Sequence, residues 1–375
     1  MTKINELVPE YIRALDHYTP GKPLRQAERE SGVRCIKMAS NENPFGPSPR
    51  ALEAIRSAAV EANFYPDNDC AELRRQLAER NKLESEQVLV TAGSTSFLDI
   101  IARSLLAPGL NAVSSQRSFI VYPIVTRAAG GKLVEVPMKN DTFDLDAILA
   151  AIDSKTRVVF LANPNNPTGT IFDEEALRRF LQRIPEHLLV VLDEAYCDFA
   201  EHFASARGVT WSRSLDHVRE GRNLVVLRTF SKAHGLAGLR VGYGFGPATL
   251  LHDFGRVRTT FSVSGIAQAA ALAALDDDAH IRKTLENNAT ELAWLAKELS
   301  ALGLRVVPSA ANFIYLETGE DAAILAKRLQ AEGIIVRPLT AWGAPKALRV
   351  TVGTPEQNQK FMGALKKVMQ GVAVR

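Results

Sequence analysis

Cysteine is scarce in this chain of 375 residues: Cys35, Cys70 and Cys197 lie far apart, and no two form a CxxC pair. A disulfide framework and a structural zinc site are therefore not expected, and a reducing compartment fits. The histidines are scattered without the spacing of metal ligands, so no metal is expected.

An excess of charge and long apolar runs are also missing. The formal net charge is +3, and no run of basic residues stands out, so neither nucleic acid nor a membrane is an expected partner. No run approaches the roughly 18 apolar residues of a membrane span. The N-terminal stretch shows no apolar segment of a signal peptide. These absences predict a cytoplasmic protein.

The patterns that are present predict an α/β fold. The segments TRVVFLANP, LLVVLDEAY and NLVVLRTFS are short and almost wholly apolar, which is typical of parallel strands covered on both faces. The helical segment FDEEALRRFLQRI separates the first two, as in a βαβ crossover. A doubly wound sheet of this kind binds ligands at the carboxyl ends of its strands.

Changes of pattern along the chain predict three segments. Residues 1–45 form an arm rich in proline and glycine, expected to pack on a small domain. Residues 46–264 form the large domain. From residue 265 to 375, long helical patterns precede short strands, which predicts a smaller α+β domain.

The stretch RTFSKAHGLAGLRVGY places Lys232 just after a strand. Such a lysine is either solvated at the rim of the sheet or held for chemistry. Ser231 and Arg240 flank it and suit a phosphate. A desolvated lysine near cationic groups has a lowered pKa, and its neutral amine can form a Schiff base.

Other strand ends carry polar residues with two interpretations each. Ser94 and Thr95 follow the strand of QVLVTAG, and form either a plain helix cap or an anion site at the helix N-terminus. Asp193 follows an apolar run, where a carboxylate is costly unless paired. It is either a capped loop residue or the partner of a cation such as a protonated ring nitrogen, which Tyr196 can also reach. The loop NPNNPTGT is either a turn or a source of asparagine ligands.

Arg337 and Arg349 interrupt apolar strands in the C-terminal part of the chain. Such arginines lie at an edge or in an ion pair, or they clamp a carboxylate or phosphate. A lysine for a carbonyl, an aspartate for a ring nitrogen and a phosphate site together match pyridoxal 5′-phosphate (PLP).

The motifs NPNNPTG, DEAY and SKAHGLAGLRVGY, in this order, resemble the fold-type I, class II-type PLP-dependent aminotransferases. The further motifs SNENPFGPSP, YPDND, GIIVRPL and LRVTVGT resemble the histidinol-phosphate aminotransferase family. The similarity covers nearly the whole chain and is more specific for fold and cofactor than for substrate. It implies a large domain with a mostly parallel, doubly wound sheet and a smaller α+β domain.

The resemblance implies the cofactor contacts. Lys232 holds PLP covalently and moves a proton at the substrate Cα, and Asp193 keeps the pyridine nitrogen protonated. Asn166 and Tyr196 bond the phenolate oxygen of the cofactor. The phosphate is bound by Ser94, Thr95, Thr229, Ser231 and Arg240. Phe119 stacks on the ring, or else it is an aromatic residue of the core.

The resemblance also implies the substrate contacts and a homodimer. Arg349 clamps the α-carboxylate of an amino acid or 2-oxo acid, and Arg337, Tyr18 and Asn43 line the distal end of the substrate. Tyr65 reaches the cofactor phosphate of the neighbouring subunit.

Amino transfer from histidinol phosphate to 2-oxoglutarate, a step of histidine biosynthesis, leads the functional interpretations. Aromatic amino-acid transamination and threonine-phosphate decarboxylation remain open. A PLP-binding transcription regulator requires a DNA-binding domain, for which the arm is too short and not notably basic. His234 is expected to pack or to form a hydrogen bond rather than to act as a second base.

Overall fold

The computed structural model describes residues 7–15 and 21–370. Their helices, α1 to α15 in chain order, are Glu10–Arg13, Leu24–Ser31, Pro49–Ala58, Ala71–Asn81, Ser94–Leu105, Val121–Ala128, Leu145–Ala150, Glu174–Leu181, Cys197–Ser205, Ser214–Arg219, Ala248–Val257, Gly265–Leu275, Asp278–Ala301, Ala322–Ala331 and Pro355–Gln370. Their strands, β1 to β13, are Ile36–Lys37, Val88–Thr91, Asn111–Ser115, Lys132–Val136, Thr156–Ala162, Leu189–Asp193, Leu224–Thr229, Gly242–Phe245, Arg305–Val307, Phe313–Glu317, Ile334–Ile335, Arg337–Leu339 and Ala344–Thr351. None of these helices is long and apolar enough to cross a membrane.

The large sheet has seven strands in the order β2-β8-β7-β6-β5-β3-β4. Only β8 runs antiparallel to its neighbours, β2 and β7, and the other pairs are parallel. The central strands β5, β6 and β7 are buried almost throughout, which is the burial expected of a sheet covered on both faces. The prediction of a mostly parallel α/β sheet is confirmed.

The sequence did not indicate β8 as a strand, because glycine at alternate positions gives it little strand propensity. The structure explains these glycines by close packing. A Cβ atom on Gly244 would lie 2.6 Å from the ring of Phe97 in α5, so a side chain there would push α5 away from the sheet.

The small domain contains an antiparallel sheet of four strands in the order β12-β13-β10-β9. Its core is formed with α13, α14 and α15, and contains Leu295, Leu325 and Phe361. The segment IIVRPL, predicted as one strand, is divided between two sheets. Its first part, β11, pairs in parallel with β1 of the N-terminal arm, and its second part, β12, pairs with β13. The arm therefore joins the small domain by backbone hydrogen bonds.

Helix α12 bears on the boundary between the domains. The sequence assigned it to the small domain, but it packs on α3 and buries Ala267, Ala270, Ala271 and Ala274 in the core of the large domain. An apolar alanine-rich helix does not reveal from its sequence which core it joins. We therefore propose a boundary between α12 and α13, near Asp277, instead of the one predicted after residue 264.

Candidate active site

A cavity lies at the carboxyl ends of β5, β6 and β7, between the large sheet, the arm and the small domain. The part of the chain that the structure describes lines it with Gly21, Ala39, Ser40, Asn41, Ser94, Thr95, Phe119, Ile120, Ala162, Pro164, Asn166, Asp193, Ala195, Tyr196, Thr229, Ser231, Lys232, Arg240, Arg337, Trp342 and Arg349. The position is the one that a doubly wound sheet favours for ligands. Most of the residues predicted for the site meet here.

Lys232 follows β7 and extends into this cavity, where its Nζ donates to the carbonyl oxygen of Ser40 at 3.3 Å. Burial lowers the pKa of Lys232 to about 8, and the positive charges of Arg349 and Arg240 act in the same direction, against Glu42 and Asp193. The amine is therefore neutral far more often than an exposed lysine at the same pH. Of the two interpretations of this lysine, solvation at the rim of the sheet does not fit its position in the cavity.

Asp193, the last residue of β6, is 5% exposed. Its Oδ1 accepts from the backbone N–H of Ala195 at 3.1 Å, and its Oδ2 accepts from the hydroxyl of Tyr122 at 3.2 Å. Burial raises the pKa of Asp193 to about 6, and these hydrogen bonds oppose the rise. The group is therefore mainly a carboxylate at neutral pH, and a buried carboxylate is a strong partner for a cation in the cavity.

Two further polar side chains are oriented by neighbours. The hydroxyl oxygen of Tyr196 accepts from Nδ2 of Asn41 at 2.8 Å, so its own proton is available to another acceptor. The Oδ1 of Asn166 accepts from Nη1 of Arg349 at 2.6 Å, so Asn166 can donate from its amide nitrogen. Both groups thus present donors to an oxygen of a ligand.

An anion-binding cup lies at the start of α5. Gly93 precedes Ser94 with φ +82°, and no side chain of the described residues caps the helix, in contrast to α3 and α8, which Ser48 and Asp173 cap. The first N–H groups of α5 are thus available to a ligand. The alternative that Ser94 or Thr95 caps this helix is wrong, because Gly93 holds the cap position.

Hydroxyl and guanidinium groups complete the cup. Nη1 of Arg240 lies 3.4 Å from Oγ of Ser231, and Oγ1 of Thr229 donates to that same oxygen at 3.0 Å. A Cβ atom on Gly93 would collide with Nη2 of Arg240, and one on Gly242 would collide with the backbone nitrogen of Ser94. The cup keeps its shape because these two positions are glycine, and its donors suit a phosphate.

Arg337 and Arg349 are directly opposite each other in the β12–β13 pair, and both line the cavity. Opposite residues of an antiparallel pair lie on the same face. The guanidinium of Arg337 lies 5.1 Å from the ring centre of Trp342, and Nη2 of Arg349 donates to the carbonyl oxygen of Ala39 at 2.7 Å. The sequence assigned the two arginines to opposite ends of a substrate, whereas the register makes them neighbours.

Three predicted residues lie elsewhere or cannot be placed. Asn43 is outside the cavity lining: its Nδ2 donates to the carbonyl oxygen of Ala233 at 2.7 Å and contacts Oγ1 of Thr284. Its neighbour Asn41 lines the cavity instead, and the motif SNENP does not show which asparagine faces inward. Tyr18 lies outside the described residues. Tyr65 is 83% exposed, packs its ring on Phe261 with ring centres 4.8 Å apart, and does not line the cavity of its own chain.

Aromatic residues support the site from the side of α6. Phe119 lines the cavity and meets the ring of Tyr122 edge-on, with ring centres 5.6 Å apart. Sequence reasoning missed Tyr122, although it follows Phe119 by three residues, the spacing that brings side chains to one face of a helical turn. His234 packs on Phe230 and does not line the cavity.

Comparisons with known proteins agree with this geometry. Residues 33–365 match the family described as aminotransferase class I and II. Histidinol-phosphate aminotransferase 2 of Pseudomonas aeruginosa is 47% identical over 361 residues, which are 96% of each chain. The crystal structure of histidinol-phosphate aminotransferase from Sinorhizobium meliloti, in complex with PLP, superimposes with a TM-score of 0.87 at 30% identity over 97% of this chain and 98% of that one.

A more distant structure shares the same fold. A double mutant of Thermus thermophilus aspartate aminotransferase superimposes with a TM-score of 0.82 at 26% identity, over 97% of this chain and 99% of that one. The lysine, the carboxylate and the anion cup at one sheet edge, together with these full-length matches, show that the chain belongs to the class I and II aminotransferases and, within them, to the histidinol-phosphate aminotransferase family.

Proposed function

We propose that this protein is a PLP-dependent aminotransferase that transfers the amino group of L-histidinol phosphate to 2-oxoglutarate, in histidine biosynthesis. The relatives that carry this name in full-length matches support the reaction. The observation that carries the choice of substrate is the pairing of Arg337 with Arg349 in the cavity that also holds Lys232.

The residues present fit PLP. The cup at the start of α5 would hold its phosphate, Asp193 its ring nitrogen, Asn166 and Tyr196 its phenolate oxygen, and Phe119 one face of its ring. Lys232 would bind it covalently. When bound, PLP supplies an electron sink and carries the amino group from one substrate to the other.

The side chains of the chain itself supply binding and proton transfer. The lowered pKa of Lys232 lets its neutral amine take a proton from the Cα of the amino donor in one half of the reaction, and its protonated form would give a proton to the Cα of the new amino acid in the other half. The buried carboxylate of Asp193 holds the proton on the ring nitrogen, and the donors of Tyr196 and Asn166 hold the ring oxygen. The groups keep their positions because Ser40 and Asn41 of the arm and Ala195 of the large domain bond them.

The two arginines match the substrate by charge. Histidinol phosphate bears a phosphate ester next to its amine-bearing carbon, where an amino acid bears a carboxylate. One site must therefore accept a dianion in one half of the reaction and a monoanion in the other. Like charges placed opposite each other in a sheet cost stability, and a bound dianion between Arg337 and Arg349 offsets that cost.

Replacing Arg337 by alanine tests this assignment. Loss of a charge-assisted contact is expected to weaken transition-state binding by about 2 kcal/mol, which lowers kcat/KM for histidinol phosphate roughly 30-fold. The value of kcat/KM for phenylalanine should fall much less. Arg337→Lys keeps the charge and should recover part of the loss. Single-turnover spectra of the PLP form with histidinol phosphate, phenylalanine and threonine phosphate measure each substrate separately. Equal losses for histidinol phosphate and phenylalanine would argue against phosphate recognition.

Gly93→Ala tests the anion cup. The added Cβ would displace the guanidinium of Arg240, and the backbone conformation, φ +82°, is strained for alanine by about 1–3 kcal/mol. PLP is expected to bind at least about tenfold more weakly, since a charge-assisted contact is lost. Titration of the apoenzyme with PLP measures this. Gly255→Ala, which has open space around it, is the matched control, and unchanged affinity of Gly93→Ala would contradict the assignment.

The exposed aromatic residues near Tyr65 support a homodimer. Phe64 and Tyr65 are 71% and 83% exposed, and Val60, which precedes Phe64 by four residues in the chain, is 81% exposed. Large apolar groups exposed together mark a protein interface. We propose that Tyr65 serves the cofactor site of the neighbouring subunit.

The three free cysteines suit the cytoplasm, which we propose as the location.

A further inference from the structure

We propose that Tyr122 is a positioning residue, which holds Asp193 as a carboxylate and in the orientation that pairs with the cofactor ring nitrogen. This inference rests on the proposed function, since it concerns the aspartate that would bind PLP. The contact that carries it is the hydrogen bond from the hydroxyl of Tyr122 to Oδ2 of Asp193, at 3.2 Å. Tyr122 itself does not line the cavity, so it acts through Asp193.

Tyr122 is fixed in place by its neighbours. It lies in the first turn of α6 and is 1% exposed. Its ring stacks on Phe160 of β5, with the ring centres 4.9 Å apart and the planes at 7°, and it meets Phe119 edge-on. The strand beside β6 thus orients the ring whose hydroxyl reaches Asp193. The same ring supports Phe119, which would lie against the cofactor.

The hydroxyl of Tyr122 remains a donor at every pH of interest. Burial and the negative charge of Asp193 raise its pKa well above the ordinary value. A donor that never ionises stabilises the carboxylate form of its partner and lowers the pKa of that partner. For Asp193, this effect opposes the larger effect of burial.

The other groups around Asp193 do not replace this contact. Lys232, from the turn after β7, favours the carboxylate by its charge, whereas Glu194 on the adjoining backbone opposes it. Burial raises the pKa of the Tyr196 phenol, and the negative charge of Asp193 adds to that rise. The backbone N–H of Ala195 bonds the other oxygen, Oδ1. Without Tyr122, no side-chain donor among the described residues is shown on Oδ2.

The variant Tyr122→Phe removes the hydroxyl and keeps the ring that packs on Phe160. The apoenzyme of this variant is expected to bind PLP about tenfold more weakly at pH 6, because Asp193 loses a charge-assisted bond. PLP affinity falls at low pH as Asp193 becomes protonated, and this fall is the acid limb of the affinity profile. The acid limb, measured by absorbance titration between pH 5 and pH 8, is expected to move up by about one pH unit. A role in packing alone would not move that limb.

Two further proteins complete the experiment. Tyr243→Phe removes another buried tyrosine hydroxyl, from a residue that packs on Phe230 and Phe245 and does not line the cavity, and it should keep the wild-type acid limb. Incorporation of 3-fluorotyrosine at position 122 keeps the ring and strengthens the donor, so the limb should move in the opposite direction; this variant also carries the test if Tyr122→Phe does not fold.

The results separate this inference from the proposed function. If the wild-type protein does not bind PLP, the proposed function fails. If the wild type binds PLP, and both position-122 variants bind PLP with the wild-type affinity and the wild-type pH dependence, the inference about Tyr122 is overturned and the proposed function stands. Opposite shifts of the limb in the two variants support it.

Discussion

Lys232→Ala is expected to lower the transamination rate by at least about 10³-fold, the upper range of what a positioned acid–base group contributes. On the proposed function, the variant would lose both the covalent attachment of PLP and the amine that moves a proton at the substrate Cα. The lowered pKa of about 8 makes this lysine suited to both tasks, since the neutral amine is the reactive form. Steady-state assays with histidinol phosphate and 2-oxoglutarate measure the loss.

A control separates this loss from a general effect of removing a lysine. Lys366, which lies on α15 and pairs with Glu298 at 3.4 Å, does not line the cavity, and Lys366→Ala should keep the wild-type rate. A Lys232→Ala enzyme with more than about one tenth of the wild-type rate would mean that another group performs the acid–base step.

Asp193→Asn is expected to have the second largest effect. The substitution keeps the size of the side chain but removes the buried negative charge that would pair with the ring nitrogen. Removal of one partner of a buried charge pair costs about 3–5 kcal/mol, which corresponds to roughly 10²- to 5 × 10³-fold in rate. Because the amide does not titrate, PLP binding to the apoenzyme should also lose the pH dependence that Asp193 imposes near pH 6.

Asp198→Asn is the matched control for this variant. Asp198 lies on α9, five residues along the chain from Asp193, and does not line the cavity. It should retain the wild-type rate and pH profile. An Asp193→Asn enzyme with a rate near that of the control would show that the ring nitrogen does not need a carboxylate in this protein.

The sequence predicts the centre of the fold well because strands that are buried on both faces consist almost wholly of apolar residues. The apolar runs ending at Ala162, Asp193 and Thr229 form adjacent strands β5, β6 and β7. Since parallel strands bring their carboxyl ends to one edge, the polar residues that follow them meet in the cavity. The central residues of the site were therefore predictable from chain order and strand pattern.

What the sequence does not reveal depends on register and on contacts between distant segments. The pairing of Arg337 with Arg349 follows from the register of β12 on β13, which no local pattern determines. That Asn41 lines the cavity, and not Asn43 as predicted, depends on how the arm crosses the small domain, where the backbone N–H of Asn41 bonds Oγ1 of Thr351. The contact of Tyr122 with Asp193 joins a helix to a strand separated by 71 positions in the chain.

Reduction of the PLP-loaded enzyme with borohydride, followed by peptide mass spectrometry, tests the central claim most directly. The reduction makes the bond between the cofactor and its lysine permanent, so the modified peptide identifies the residue. The structure predicts one modified site, Lys232, in the peptide that contains the SKAHGL segment. Modification of a different lysine, or none in an enzyme that has taken up PLP, would contradict the assignment of Lys232 as the residue that binds the cofactor.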